Sequence, residues 1–97
     1  PKGRRDQSER WVFIYISWGR ALEAQGKPDE AIKMYQKAVE ISPRDGYLYQ
    51  SLGGALEAQG KPDEAIKVYQ KAIEMNPNAT GYNKQIIDEL QKKLGTR

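Results

Sequence analysis

Two glutamates, Glu23 and Glu57, stand thirty-four residues apart in nearly identical surroundings, and paired carboxylates are one arrangement that can divide the work of general acid and general base. Nothing completes the set. The chain has no histidine and no cysteine, so the commonest general base, the commonest metal ligand and every thiolate site are missing. No nucleophile stands together with a base and an orienting group. The chain therefore reads as non-enzymatic, with no catalytic residue, no metal and no cofactor. Tyr35 and Tyr69 recur at the same interval and read as packing residues, and repetition explains the two glutamates more simply than catalysis does. Asn78-Ala79-Thr80 matches the glycosylation triplet but falls at an expected turn, and is read as turn structure. Arg4-Arg5 belongs to a short charged tail, read as solvated.

The interval itself is the larger signal. Ala21 to Pro43 reads ALEAQGKPDEAIKMYQKAVEISP, and Ala55 to Pro77 reads ALEAQGKPDEAIKVYQKAIEMNP, with four of twenty-three positions changed. Three changes (Met34 to Val68, Val39 to Ile73, Ile41 to Met75) swap apolar residues of similar size, and Ser42 to Asn76 swaps small polar ones, so core volume is kept. A fixed period of this length marks a solenoid of helix–turn–helix units, each burying its apolar face against its neighbours.

Punctuation places the helices. Gly26-Lys27-Pro28 and Gly60-Lys61-Pro62 each set a glycine stop before a proline suited to a first helical turn. Asp29, Glu30, Asp63 and Glu64 then sit where a helix N-terminus favours negative charge. Pro43 and Pro77 end the second helix of each unit, and Asp45 and Asn78 or Thr80 are candidate caps for the helices beyond them. The expectation is an all-α chain of five helices: Ser8 to Gln25, Pro28 to Ile41, Gly46 to Gln59, Pro62 to Met75 and Thr80 to Leu94. Residues 1–11 form a basic N-terminal segment, 12–45 and 46–79 two repeats, 80–94 a capping helix and 95–97 a tail. The fifth helix carries the stripe Tyr82, Ile86, Ile87, Leu90 and Leu94. Gly53-Gly54 costs about 1 kcal/mol per glycine in a helix, so close packing is expected at one of them at least.

The net charge is +3, of which +2 lies in the first ten residues; the remainder has twelve basic and eleven acidic residues and no basic stripe. That argues against nucleic acid as a partner. No apolar run is long enough to span a membrane and no signal peptide is visible, so a cytoplasmic setting is the expectation. The start at Pro1, without methionine, points to processing or to a longer parent chain.

These residues resemble the tetratricopeptide repeat family, whose thirty-four-residue units favour a bulky aromatic, leucine, glycine, alanine, aromatic, alanine and proline at fixed offsets. One unit falls on Tyr15, Trp18, Gly19, Leu22, Gly26, Ala31, Tyr35, Ala38 and Pro43; the next falls on Tyr49, Leu52, Gly53, Leu56, Gly60, Ala65, Tyr69, Ala72 and Pro77. A third begins at Thr80 with Ile87 where glycine is usual, which fits a terminal cap. The resemblance implies a right-handed helical solenoid whose first helices line a groove for extended or helical segments of partner proteins. At the groove positions it puts Phe13, Ile16, Arg20, Glu23 and Ala24, then Tyr47, Gln50, Gly54, Glu57 and Ala58, then Gly81, Lys84, Asp88, Gln91 and Lys92. The chaperone-binding subclass clamps a C-terminal carboxylate with lysine, asparagine and arginine. Here Ile16, Arg20, Ser51, Gly81 and Gln85 occupy those places, and four of the five lack the expected type, which argues against that specialisation.

The stretch Trp11 to Trp18, WVFIYISW, is apolar or aromatic at seven of eight positions and on every side of its helix. Either a preceding segment of the parent covers it, or it is a patch for self-association or for a partner. The functional expectation is an interaction module binding a protein segment or its own twin. Trp11, Phe13, Ile16 and Tyr47 would anchor, with Arg20, Gln50, Lys84 and Asp88 setting polarity and register. The alternative is a structural fragment, or a designed model, of a longer repeat array with no ligand of its own.

Overall fold

The computed structural model describes the backbone of residues 2–95 and the side chains of residues 8–95. The described residues form five α-helices: α1 (Lys2–Ala24), α2 (Pro28–Ile41), α3 (Gly46–Ala58), α4 (Pro62–Met75) and α5 (Thr80–Gly95). A 3-10 turn, Pro77–Ala79, precedes α5, and there is no strand among the described residues. α2 and α4 match the expected limits to the residue, and α3 and α5 each differ by one at the C-terminal end. The largest departure is α1, which starts at Lys2 rather than Ser8; the Arg4-Arg5 side chains lie outside the described residues.

Local chemistry accounts for the turns. Gly26 and Gly60 adopt φ of 76° and 84°, a left-handed conformation that glycine enters without a Cβ penalty. The amide of Gly26 donates to the Glu23 carbonyl and that of Lys27 to the Leu22 carbonyl, both at 2.9 Å, and Gly60 and Lys61 repeat the pair on Glu57 and Leu56. Two orphan carbonyls at each helix end are thereby satisfied. Pro28 and Pro62 then open α2 and α4, with both acidic residues in the first turn. Asp45 caps α3 as expected, its side chain accepting from the Tyr47 amide at 3.0 Å.

Each helix packs on the next in sequence, giving a slab of 51 × 31 × 15 Å, the thickness of two helix layers. Close approach depends on small residues: Ala31, Ala38, Ala55, Ala65 and Ala72 are all buried. A Cβ at Gly46 would stand 2.6 Å from the Asn76 Cβ, and at Gly19 and Gly53 it would stand 2.6 Å from the Tyr35 ring and 2.7 Å from the Tyr69 ring. Around them the main core joins Ile32, Leu52, Leu56, Ile66, Ile87 and Leu90, and a second cluster of Val12, Ala38 and Leu48 takes in Tyr15, Ile16 and Val39.

Two expectations are corrected by the packing. Trp18, placed at the family's leucine position, is 54% exposed, whereas its counterpart Leu52 is 8% exposed. Leu52 lies against the preceding α2; α1 has no helix before it among the described residues. The stripe on α5 is also rotated at its start: Ile86, Ile87, Leu90 and Leu94 pack on the core as expected, but Asn83 is buried while Tyr82 is 58% exposed. In α3 the glycine position, Gly53, faces the following helix. No helix follows α5 among the described residues, so the same face, now bearing Ile87, turns onto α4. The 3-10 turn permits this by delivering Thr80 already helical, and the Thr80 hydroxyl donates back to the Pro77 carbonyl.

The neighbouring glycines of α3 should respond in opposite senses. Gly53→Ala drives a methyl into the Tyr69 ring, an overpacking cost of about 1–3 kcal/mol that outweighs the helix gain. A methyl at Gly54 meets only the Tyr69 hydroxyl at 3.8 Å, so Gly54→Ala should stabilise by up to about 1 kcal/mol. Chemical denaturation of the two variants against the parent checks the sign of each.

Candidate functional site

One hollow draws side chains from every helix. Arg20 and Glu23 come from α1, Tyr47, Gln50, Ser51 and Gly54 from α3, and Tyr82 from α5, while the tips of Tyr35 and Tyr69 reach in from α2 and α4. Its volume is about 230 Å³. The floor is built by a device that occurs twice. Tyr35 crosses Gly19, and its hydroxyl donates to the Glu23 carboxylate; Tyr69 crosses Gly53 and donates to Glu57. Glycine admits the ring and glutamate, four residues on, sits one turn further along the same helix face to receive the hydroxyl. Burial pushes both tyrosine hydroxyls well above the usual range, and the hydrogen bond and negative charge of the glutamate add to the shift.

Above this floor the exposed groups are aromatic and hydrogen-bonding. The Arg20 guanidinium lies 5.4 Å from the centre of the Tyr47 ring, a cation–π contact that holds a positive charge over the hollow. Tyr47 and Tyr82 keep much of their surface in solvent, and Gln50 and Ser51 are partly buried between them. Among the described residues no three acidic or metal-ligating side chains cluster as a metal site.

The structure divides the expected site residues into three groups. Arg20, Tyr47 and Gln50 come together in the hollow. Lys84 and Asp88 line a separate surface depression on α5, with Gly81, Gln85, Glu89 and Lys92. On α1, Phe13 lines a depression with Glu9, Arg10 and Ile14, Trp11 stacks against Tyr15 with ring centres 5.8 Å apart, and Ile16 is partly buried against the second core cluster. Tyr82 was missed, because the sequence pattern put it in a buried stripe.

The sequence profile described as tetratricopeptide repeat matches residues 16–80. The chain belongs to the tetratricopeptide repeat family. Among solved structures it is similar to the MamA protein, with 35% identity over 73% of this chain and a TM-score of 0.65; it spans 39% of that chain's length. It also resembles the first TPR of Spaghetti (RPAP3) bound to HSP90 peptide SRMEEVD, at 21% identity and a TM-score of 0.45, covering 89% of this chain and 97% of that one. No curated protein matches it in sequence. No described helix of this tetratricopeptide repeat chain is long and apolar enough to cross a membrane.

The tyrosine floor predicts a loss of stability in alkali. The native state holds the protons of Tyr35 and Tyr69 where the unfolded chain releases them near pH 10. Above that pH the unfolded state binds fewer protons, so stability falls as pH rises through the raised native values. Tyr69→Phe should lose about 1–2 kcal/mol at neutral pH and show a shallower decline in melting temperature between pH 9 and 12.

Proposed function

We propose that this chain is a non-catalytic protein-interaction module that holds a segment of a partner protein in the hollow between Arg20, Tyr47, Gln50 and Tyr82. The observation carrying this reading is that Tyr47 and Tyr82 present aromatic faces to solvent beside a positioned guanidinium, although neither fills the core. Such surfaces suit recognition, because tyrosine and arginine supply contact area with a polar end and dominate binding energy where they occur. The donors available are the Arg20 guanidinium, the Gln50 amide and the Ser51, Tyr47 and Tyr82 hydroxyls. They fit backbone carbonyls or a carboxylate of an extended or helical segment, with one of its apolar side chains seated between the two exposed rings. The carboxylates of Glu23 and Glu57 are engaged by the tyrosine hydroxyls and contribute less to ligand contact. Lys84 and Asp88 would act only on a ligand long enough to pass from the hollow onto α5. A cytoplasmic setting is part of the proposal, in keeping with a chain free of cysteine.

The near identity of the two repeats favours a second reading, in which the chain is a structural portion of a longer array and the hollow has no ligand of its own. One experiment separates the readings. A random peptide library panned against the chain should yield binders, and each should weaken at least tenfold against Tyr47→Ala and against Arg20→Ala. Peptides that bind equally well to both variants, or a library that yields none, would favour the structural reading.

A further inference from the structure

Shifting α3 back by thirty-four residues lays Leu48, Leu52 and Ala55 over Ile14, Trp18 and Ala21. On α3 those residues are buried; on α1 all three are exposed, Ile14 at 43%. Half-exposed Trp11 continues the line one turn earlier, so residues 11, 14, 18 and 21 follow a three-four-three spacing, the seam of a helix pair. The rest of the chain constrains the cover of this seam. A preceding repeat joined as the first joins the second would require a turn at residues 8–11. Ser8, Glu9, Arg10 and Trp11 are instead helical, where Ser42, Pro43, Arg44 and Asp45 make the turn before α3. Head-to-tail stacking of a second copy is blocked as well, because α2 is held between α1 and α3, and α4 between α3 and α5. A second copy still offers its own seam.

We propose that α1 pairs with α1 of a second copy, antiparallel about a two-fold axis, through Trp11, Ile14, Trp18 and Ala21. With the axis level with residue 16, Trp11 faces Ala21 and Ile14 faces Trp18, so each large side chain meets a smaller one. A parallel pair would set tryptophan on tryptophan and Arg10 on Arg10. At about 200 Å² per large aromatic, the exposed parts of Trp11, Trp18 and Ile14 offer roughly 300 Å² of apolar surface per copy. A standard stable interface buries about 800 Å² per partner and a permanent dimer more, so this pairing is reversible and dissociates on dilution. It uses the α1 face away from α2 and is independent of ligand binding in the hollow.

Sedimentation equilibrium from micromolar to millimolar protein tests it. The parent chain is expected to pass from monomer to dimer as concentration rises. Ala21→Glu, a good helix former at an exposed position, and Trp18→Glu should each raise the dissociation constant roughly thirtyfold or more with helical circular dichroism unchanged. Phe13→Ser, 70% exposed but off the seam, should leave it within about threefold of the parent. A monomer at every concentration, a dimer indifferent to both glutamates, or dissociation by Phe13→Ser alone would overturn the proposal.

Discussion

The crossing of a tyrosine over a glycine, repeated in each helix pair, is the constraint on which the rest of this structure depends. Tyr35 over Gly19 and Tyr69 over Gly53 bring helix surfaces closer than any residue with a Cβ would allow. Burying each ring contributes on the order of 3 kcal/mol, yet a buried hydroxyl without a partner would cost about 1–3 kcal/mol. The glutamate four residues after the glycine removes that cost. Three residues on two helices therefore set the approach distance, the ring orientation and the polar floor of the hollow. A phenylalanine would keep the first two and lose the third.

Much of this was legible in the sequence because it is local. Gly26 and Gly60, Pro28 and Pro62, and Asp45 act within a turn of their own positions, so the limits of α2 and α4 follow from residue chemistry alone. The Tyr–Glu pairs were visible as a repeated spacing, but their meaning was not. A tyrosine and a glutamate twelve residues apart meet only if the intervening turn folds the two helices side by side. The family pattern fixes that arrangement; composition and periodicity do not.

What the sequence concealed lies in α1 and α5, each of which has a neighbouring helix on one side only among the described residues. Periodicity reports which residues share a face and is silent on whether anything stands opposite. Trp18 and Leu52 occupy one position of the pattern and differ because α2 precedes Leu52. Tyr82 and Leu48 likewise share a position, and the rotation of α5 sends one into solvent and keeps the other at full burial. The rotation also takes Asn83 into the interior. Its amide nitrogen donates to the Ala79 carbonyl at 3.0 Å, while its oxygen has no partner among the described residues. A buried acceptor left unpaired is costly, so the rotation that buries Ile87 against α4 does so at the expense of one polar group.

Near identity of the repeats makes the middle of such a chain uniform and leaves individuality to the positions that differ. Within the near-identical segments the floor tyrosines, their glutamates and the turn residues are the same in both repeats. The groups that give the hollow its character come from elsewhere: Arg20 just before the first copy, Tyr47, Gln50, Ser51 and Gly54 between the copies, and Tyr82 after the second. The counterpart of Arg20 is Gly54, and that of Tyr47 is Phe13. The guanidinium thus stands over a tyrosine in one place and the equivalent position of the next repeat has no side chain at all. A repeated floor supplies the scaffold, and the unrepeated first two turns and more of α3, with the start of α5 and Arg20 near the end of α1, supply the asymmetry that any directional recognition of a peptide requires.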